Sequence, residues 1–274
     1  LILAQDLLTD KGVTLYTNGT LITPDKIARL LDIQADNPKR EMNFKIKRSD
    51  QLMEKFKLEL LKRVGQLLSF RAKYKVYSNL LTANKEKILT FFNDFFSDEA
   101  KVLTAYKMVY IIETCPKKSA ALFLNHAISV ASLSYALALS PQIQEEISLE
   151  QDDYNDLVTA ALFYSIGSIL SINNLVRESP ERLPALYRKA NLKSHEYLTG
   201  ITLTKNTVLG LKYINDFHFN KGKNEFLLNS NDPASLIANI IIVIDQYVLL
   251  ESGLFEEQSK ISRIIDDLNV KALQ

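Results

Sequence analysis

The sequence has one cysteine, no tryptophan, eight glycines, seven prolines and three histidines in 274 residues. Cys115 alone can form no internal disulfide, which argues against a secreted, disulfide-stapled scaffold and suits a reducing cytoplasm. Pro116 follows it and no histidine is near, so Cys115 reads as an ordinary helix-end residue rather than a nucleophile. The few glycines, with no sustained β pattern after residue 50, argue against a Rossmann or barrel fold. Charge of one sign is also missing. Thirty-three Lys and Arg against 32 Asp and Glu leave +1, too little for a global field that attracts nucleic acid or an anionic membrane. The most apolar segment, LIANIIIVIDQYVLL, is interrupted by Asn239 and Asp245 and falls short of the ~20 residues of a membrane span. The opening LILAQDLLTDKG carries Asp6 within too short an apolar run for a signal peptide. The expectation is a cytoplasmic protein without a membrane span or nucleic-acid partner.

What is present is mostly helical periodicity behind a short β-rich entry. Residues 1–48 read as a β-hairpin-rich module: LILAQDLL, VTLYT and TLIT are separated by Thr9-Asp10-Lys11-Gly12 and Asn18-Gly19. Pro24 then opens a helix. Residues 36–50 are strongly charged and read as a solvated edge strand and linker, with a phosphate or partner contact as the sharper alternative. Residues 49–115 read as linking helices. The first spans 50–77, with Leu52, Phe56, Leu60, Val64 and Leu68 at helical spacing, and could form a homodimer seam or pack on the core. Helices over 84–95 and 98–114 follow.

Residues 116–274 read as the main helical domain. Helix 118–140 places Leu122, His126, Val130, Leu133 and Leu137 on one face, which points His126 inward. Taken alone, His126 reads as a core histidine satisfied by one hydrogen bond. The next helix starts behind Asp152 and Asp153, acids suited to a helix N-terminus, and reaches a glycine exit at Gly167. Residues 182–204 and 206–220 form further helical stretches. The last core helix has Asp232 as N-cap, Pro233 in its first turn, and Asp245 on the face of Ile237, Ile241 and Val248. A carboxylate in such a run requires a cation, a donor or a metal.

His126, His195 and His218 lie in three helical segments and Asp245 in a fourth, which is how a helical bundle builds a divalent-metal site. No local HExxH or CxxC signature accompanies them. Their order and surroundings resemble the HD-GYP subgroup of the HD-domain superfamily, over most of the chain. NHAISVASLSYALA is similar to the family's first helix, with His126 at its leading ligand position. AALFYSIGSI corresponds to the His-Asp-x-Gly-Lys run, LKSHEYLTG places His195 at the next ligand, FHFNKGK aligns with the His-His pair, and IIVIDQY closes with Asp245. The opening hairpins resemble the module that often precedes such domains. HDOD domains, a related helical group that lacks many ligands and serves in signalling, are the nearest alternative.

The resemblance implies a mainly α, HD-domain-like helical bundle, and in active members a two- or three-metal phosphodiesterase that hydrolyses cyclic di-GMP. This chain departs from that pattern at the centre. Tyr164 and Ser165 replace the His-Asp pair, Ser168 the lysine, Phe217 one histidine, and Phe219 the following glutamate, and the Gly-Tyr-Pro signature is absent from KGKNEFLLN. The reading is a catalytically inactive signalling or scaffold protein without a cofactor, which binds a protein partner or a cyclic dinucleotide. Lys221 and Lys223 are its phosphate candidates, or else solvated loop lysines. The alternative is a phosphohydrolase with one remodelled Fe, Mn or Zn site on His126, His195, His218 and Asp245, assisted by Tyr164.

Overall fold

Short alternating runs at the start of the chain pair into two small antiparallel sheets in the computed structural model. The structure describes residues 2–9, 12–20, 22–36, 46–47, 50–73, 75–146, 149–179, 181–198, 200–219 and 232–252. They fall into two compact units, 1–58 and 59–274. Most of the charged 36–50 segment, Lys221 and Lys223 lie outside the described residues.

In the first unit, β1 (Ile2–Leu3) is followed by β2 (Leu7–Leu8), β3 (Thr14–Tyr16), α1 (Pro24–Asp36) and β4 (Ile46–Lys47). β1 pairs with β4, and β2 pairs with β3 with a register shift between Leu7 and Leu8. The β2–β3 connection is the predicted turn, closed by the Gly12 N–H donating to the Thr9 carbonyl at 2.9 Å, with Gly12 at φ 75°. Asn18-Gly19 behaves differently from the predicted hairpin. A type I′ turn needs positive φ at both central residues, whereas Gly19 has φ 82° and no described non-glycine residue has positive φ. The chain turns with Thr20 N–H on the Thr17 carbonyl, and the described residues of the predicted TLIT strand, Thr20, Ile22 and Thr23, are not in a strand. Instead Leu3 exchanges backbone bonds with Gly19 and Thr20, at 2.9 and 3.0 Å. Leu3, Leu7 and Leu30 form the small core of this unit, with Leu15, Tyr16 and Ile22 against it.

The rest of the described chain is helical: α2 (Asp50–Arg71), α3 (Lys75–Phe95), α4 (Glu99–Thr114), α5 (Ala120–Ala138), α6 (Pro141–Glu146), α7 (Gln151–Phe163), α8 (Ile166–Leu170), α9 (Ile172–Leu175), α10 (Leu183–Asn191), α11 (Lys205–Phe219) and α12 (Pro233–Ser252). Two predicted helices are shorter than their periodicity suggests. The 50–77 stretch ends at Arg71, where the Ala72 and Lys73 amides bond back to Leu68 and Phe70 and the chain turns into α3. The 182–204 stretch yields α10 and then a 3-10 turn, Ser194–Tyr197.

α5 is the centre of the second unit. Its AALFLNHAISVASLSYALA sequence is rich in alanine and serine, small enough for α3, α4, α7 and α12 to pack around it, and it is buried on nearly every side. By length and composition α5 would pass for a membrane span, yet most of it is enclosed by protein. Leu122, near its start, is an exception at 38% exposed. Phe91 of α3 stacks on Tyr135 of α5 at 4.2 Å, extending the core toward the end of α3. α11 is fixed at its N-terminus by Asp156 of α7, which accepts from the hydroxyls of Thr204 (2.7 Å) and Thr207 (2.9 Å), so a buried carboxylate meets the positive end of a helix.

Candidate functional site

Three helices bring their polar residues to one buried point. α5 contributes His126, 1% exposed, from its crowded middle. α7 begins with the Glu150 N–H donating to Asp153 at 2.9 Å and turns mostly apolar from Leu157 to Phe163, where Tyr164 follows at its C-terminus. α12 starts with Asp232 accepting from the Ser235 N–H at 3.1 Å and carries Asp245, fully buried, halfway along.

His126 Nε2 lies 2.6 Å from the Tyr164 hydroxyl and 2.7 Å from Asp245 Oδ1, and the Tyr164 hydroxyl donates to the same carboxylate oxygen. Gln246 reaches Asp245 Oδ2 at 3.3 Å, and the Tyr187 hydroxyl of α10 stands 3.5 Å from that of Tyr164. The proton positions follow. The carboxylate is an acceptor and Tyr164 has one proton, which it gives to Asp245. Imidazole Nε2 facing that same oxygen must therefore carry a proton, which fixes the tautomer. Nδ1 is buried and has no hydrogen-bond partner among the described residues.

Burial, then the charge of Asp245 and the neighbouring Tyr187, holds the Tyr164 hydroxyl protonated well above the usual phenol range. Tyr187 is raised as well, first by burial and then by Asp245, against hydrogen bonds with Tyr164, Asn191 and Ser165 that pull it down. Phenols in the unfolded chain ionise near pH ~10. A raised folded value means that the stability these groups contribute is complete below that pH and is lost as pH rises above it. Urea unfolding at intervals from pH 9 upward should show stability falling above about pH 10, with a shallower fall in Tyr164→Phe. That substitution removes one donor from a buried carboxylate and should cost about 1–3 kcal/mol at neutral pH, read as a lower denaturation midpoint.

The segment between α7 and α8 is clamped from behind by residues that the sequence did not single out. Ser194 Oγ donates to the Tyr164 carbonyl at 2.6 Å and accepts from the Gly167 N–H at 3.2 Å. Asn191 Oδ1 accepts from the Ser168 N–H at 2.8 Å, and the Ser168 hydroxyl donates to the Ser165 carbonyl at 2.6 Å. Ser165 and Ser168 are buried within this clamp, where the Ser168 hydroxyl serves the backbone and the Ser165 side chain faces Tyr187. Tyr187 had a sequence signal: Leu183, Leu186 and Tyr187 share one face of LPALYRKAN. Asn191 and Ser194 had none, because their partners are backbone groups more than twenty residues away.

Of the proposed ligand set, His126 and Asp245 meet. His195 lies on the 3-10 turn with an exposed side chain, and Phe217 is half-buried on α11. The backbone of His218 belongs to α11, and its side chain lies outside the described residues. Among the described residues no three His, Cys, Asp or Glu side chains gather as a metal-binding group. The two that meet are bonded to each other, and a phenol held in its protonated form touches both. Two protein ligands without a bridging carboxylate do not fit the multi-metal centre that the resemblance implies. The arrangement is suited to joining α5, α7 and α12 by charge-assisted hydrogen bonds. Comparison of the chain with protein families, with curated proteins and with solved structures finds no match.

Proposed function

We propose that this chain is a non-catalytic, HD-GYP-like helical signalling or scaffold protein that acts by binding a protein partner or a nucleotide. The observation that carries the reading is the Tyr164 hydroxyl, 2.6 Å from His126 Nε2 and donating to Asp245 inside a closed core. At the position where the resembled family has a metal-binding His-Asp pair, this chain has a phenol and a serine; the phenol occupies a lone pair of the Asp245 carboxylate, and the protonated Nε2 of His126 that faces the same oxygen has no lone pair for a metal. Hydrolysis of a phosphodiester also needs an open position for substrate and water, and His126 and Asp245 are 1% and 0% exposed. The exposure of His195 weighs against a single-metal enzyme built on all four residues.

The test is the metal content of protein purified without chelator and then supplied with Mn, Fe or Zn, measured by plasma mass spectrometry beside turnover of cyclic di-GMP and its linear product. Metal far below one equivalent and no turnover are expected. A near-stoichiometric metal that disappears in His126→Ala, or hydrolysis of either compound, overturns the reading. Calorimetry with cyclic di-GMP then separates a nucleotide-binding protein, which releases heat, from one that binds protein alone.

A further inference from the structure

Five helices of the second unit leave a gap where they meet. Phe92 and Phe96 of α3, Ala105 and Met108 of α4, and Leu124 and Ile128 of α5 line it, and α2 and α7 add further apolar side chains. Each of these pairs stands about one turn apart on its helix, so all three helices turn an inward face to the gap. None of the six residues is more than 3% exposed. Inside, the centre of a water-sized sphere can move through about 10 Å³. A sphere of that volume has a radius of about 1.3 Å, and adding the ~1.4 Å radius of water puts the wall about 2.7 Å from the middle. Such a space holds one small molecule and is smaller than the dry cavity of roughly 150 Å³ that takes benzene.

The side chains around the gap do not collapse into it. Phe92 and Phe96 have ring centroids 5.8 Å apart, and Phe95 packs against them at 6.1 and 5.4 Å, so the rings brace one another. Ala105 is the smallest residue of the lining, and Met108, whose flexible thioether is the usual filler of irregular gaps, leaves this one open.

No polar atom faces the space, and a water needs two to four polar partners to be held in a cavity. Water is therefore excluded, and the wall atoms forgo dispersion contacts that an apolar occupant would restore. A charged or hydrogen-bonding ligand would lose its hydration there and gain no partner. We propose that this cavity is a binding site for one small apolar molecule, of which dioxygen is the common dissolved example. The inference does not depend on the reading of the buried His126 cluster.

Methyl NMR spectra of the labelled full chain test it, with xenon and dioxygen gas as the probes. Under rising xenon pressure the methyl groups of Met108, Leu124 and Ile128 should shift and then saturate. Dioxygen is paramagnetic, so under it the same methyl groups should relax several-fold faster than those of Leu3, Leu7 and Leu30 in the small core of the first unit. Ala105→Val, which adds bulk to the lining, should abolish both responses and leave the first unit unchanged. Val64→Ile, also at the lining, serves the same purpose if Ala105→Val fails to fold. Xenon shifts that rise with pressure without saturating overturn the proposal, as does a dioxygen response no larger at the cavity than in the first unit. So do saturating responses that survive in a folded, filled variant.

Discussion

Gly167→Ala should lower the stability of the second unit by about 3 kcal/mol or more, a drop of roughly 6–12 °C in Tm for a chain of this size. The reason is contact with backbone. A Cβ built on Gly167 would stand 1.9 Å from the Ala190 carbonyl oxygen, 2.7 Å from its carbon and 3.2 Å from the Asn191 Cα. No rotamer change relieves such a contact, so α8 must move away from α10. That movement pulls on the Ser194 and Asn191 hydrogen bonds at 3.2 and 2.8 Å, and these hold the backbone that aims Tyr164 at Asp245. Gly65→Ala is the control. It lies inside α2, where an added Cβ meets only Leu89 Cδ2 at 3.8 Å, and it should raise stability by up to about 1 kcal/mol by removing glycine from a helix interior. Urea unfolding of the two variants checks both signs. Equal and small effects would mean that α8 and α10 adjust freely and that the clamp on Tyr164 is soft.

Gly167 also shows how far the sequence could be read. It read as a helix exit, a role that uses a left-handed backbone. Positive φ occurs among the described glycines at Gly12 and Gly19 and not at Gly167. Its place in the chain was legible, but the reason for it was not, because the atom that forbids a side chain belongs to Ala190, twenty-three positions later. The same limit applies elsewhere. Apolar periodicity and capping residues located most helices, with Pro24 and Asp232 at N-termini and Asp152 and Asp153 in the first turn of α7. The end of α2 was hidden, since neither glycine nor proline marks the turn after Arg71. In the site, the inward direction of His126 and the need of Asp245 for a donor were readable from one helix face each. That Tyr164 bonds to both required the crossing of α5, α7 and α12, which no local pattern encodes. The outward placement of His195 was equally hidden, because a 3-10 turn of four residues leaves no periodicity to read.

Removing either partner of the Arg71–Glu251 pair should cost about 3–5 kcal/mol, while replacing both with apolar residues should cost far less or be neutral. Arg71 closes α2 and Glu251 lies in the last turn of α12. Their side chains are 9% and 8% exposed, with the guanidinium donating to the Glu251 carboxylate and, through Nε, to Ser129 Oγ of α5 at 3.1 Å. Taking two charges out of water consumes most of their mutual attraction, so the pair adds little net stability over an apolar contact. A lone buried guanidinium or carboxylate has lost water and gained nothing in return. Glu251→Leu should therefore be strongly destabilising, Arg71→Met similarly so, and the double variant close to the parent. Stability of the parent should change little between low salt and about 1 M, where screening of exposed pairs is nearly complete. A double variant as unstable as either single one would show that the three-helix junction depends on the ion pair's geometry, including the Ser129 contact, rather than on neutralising a buried charge. The ends of α2 and α12 would then be held in register with α5 by directed hydrogen bonds, as α5, α7 and α12 are held by His126, Tyr164 and Asp245.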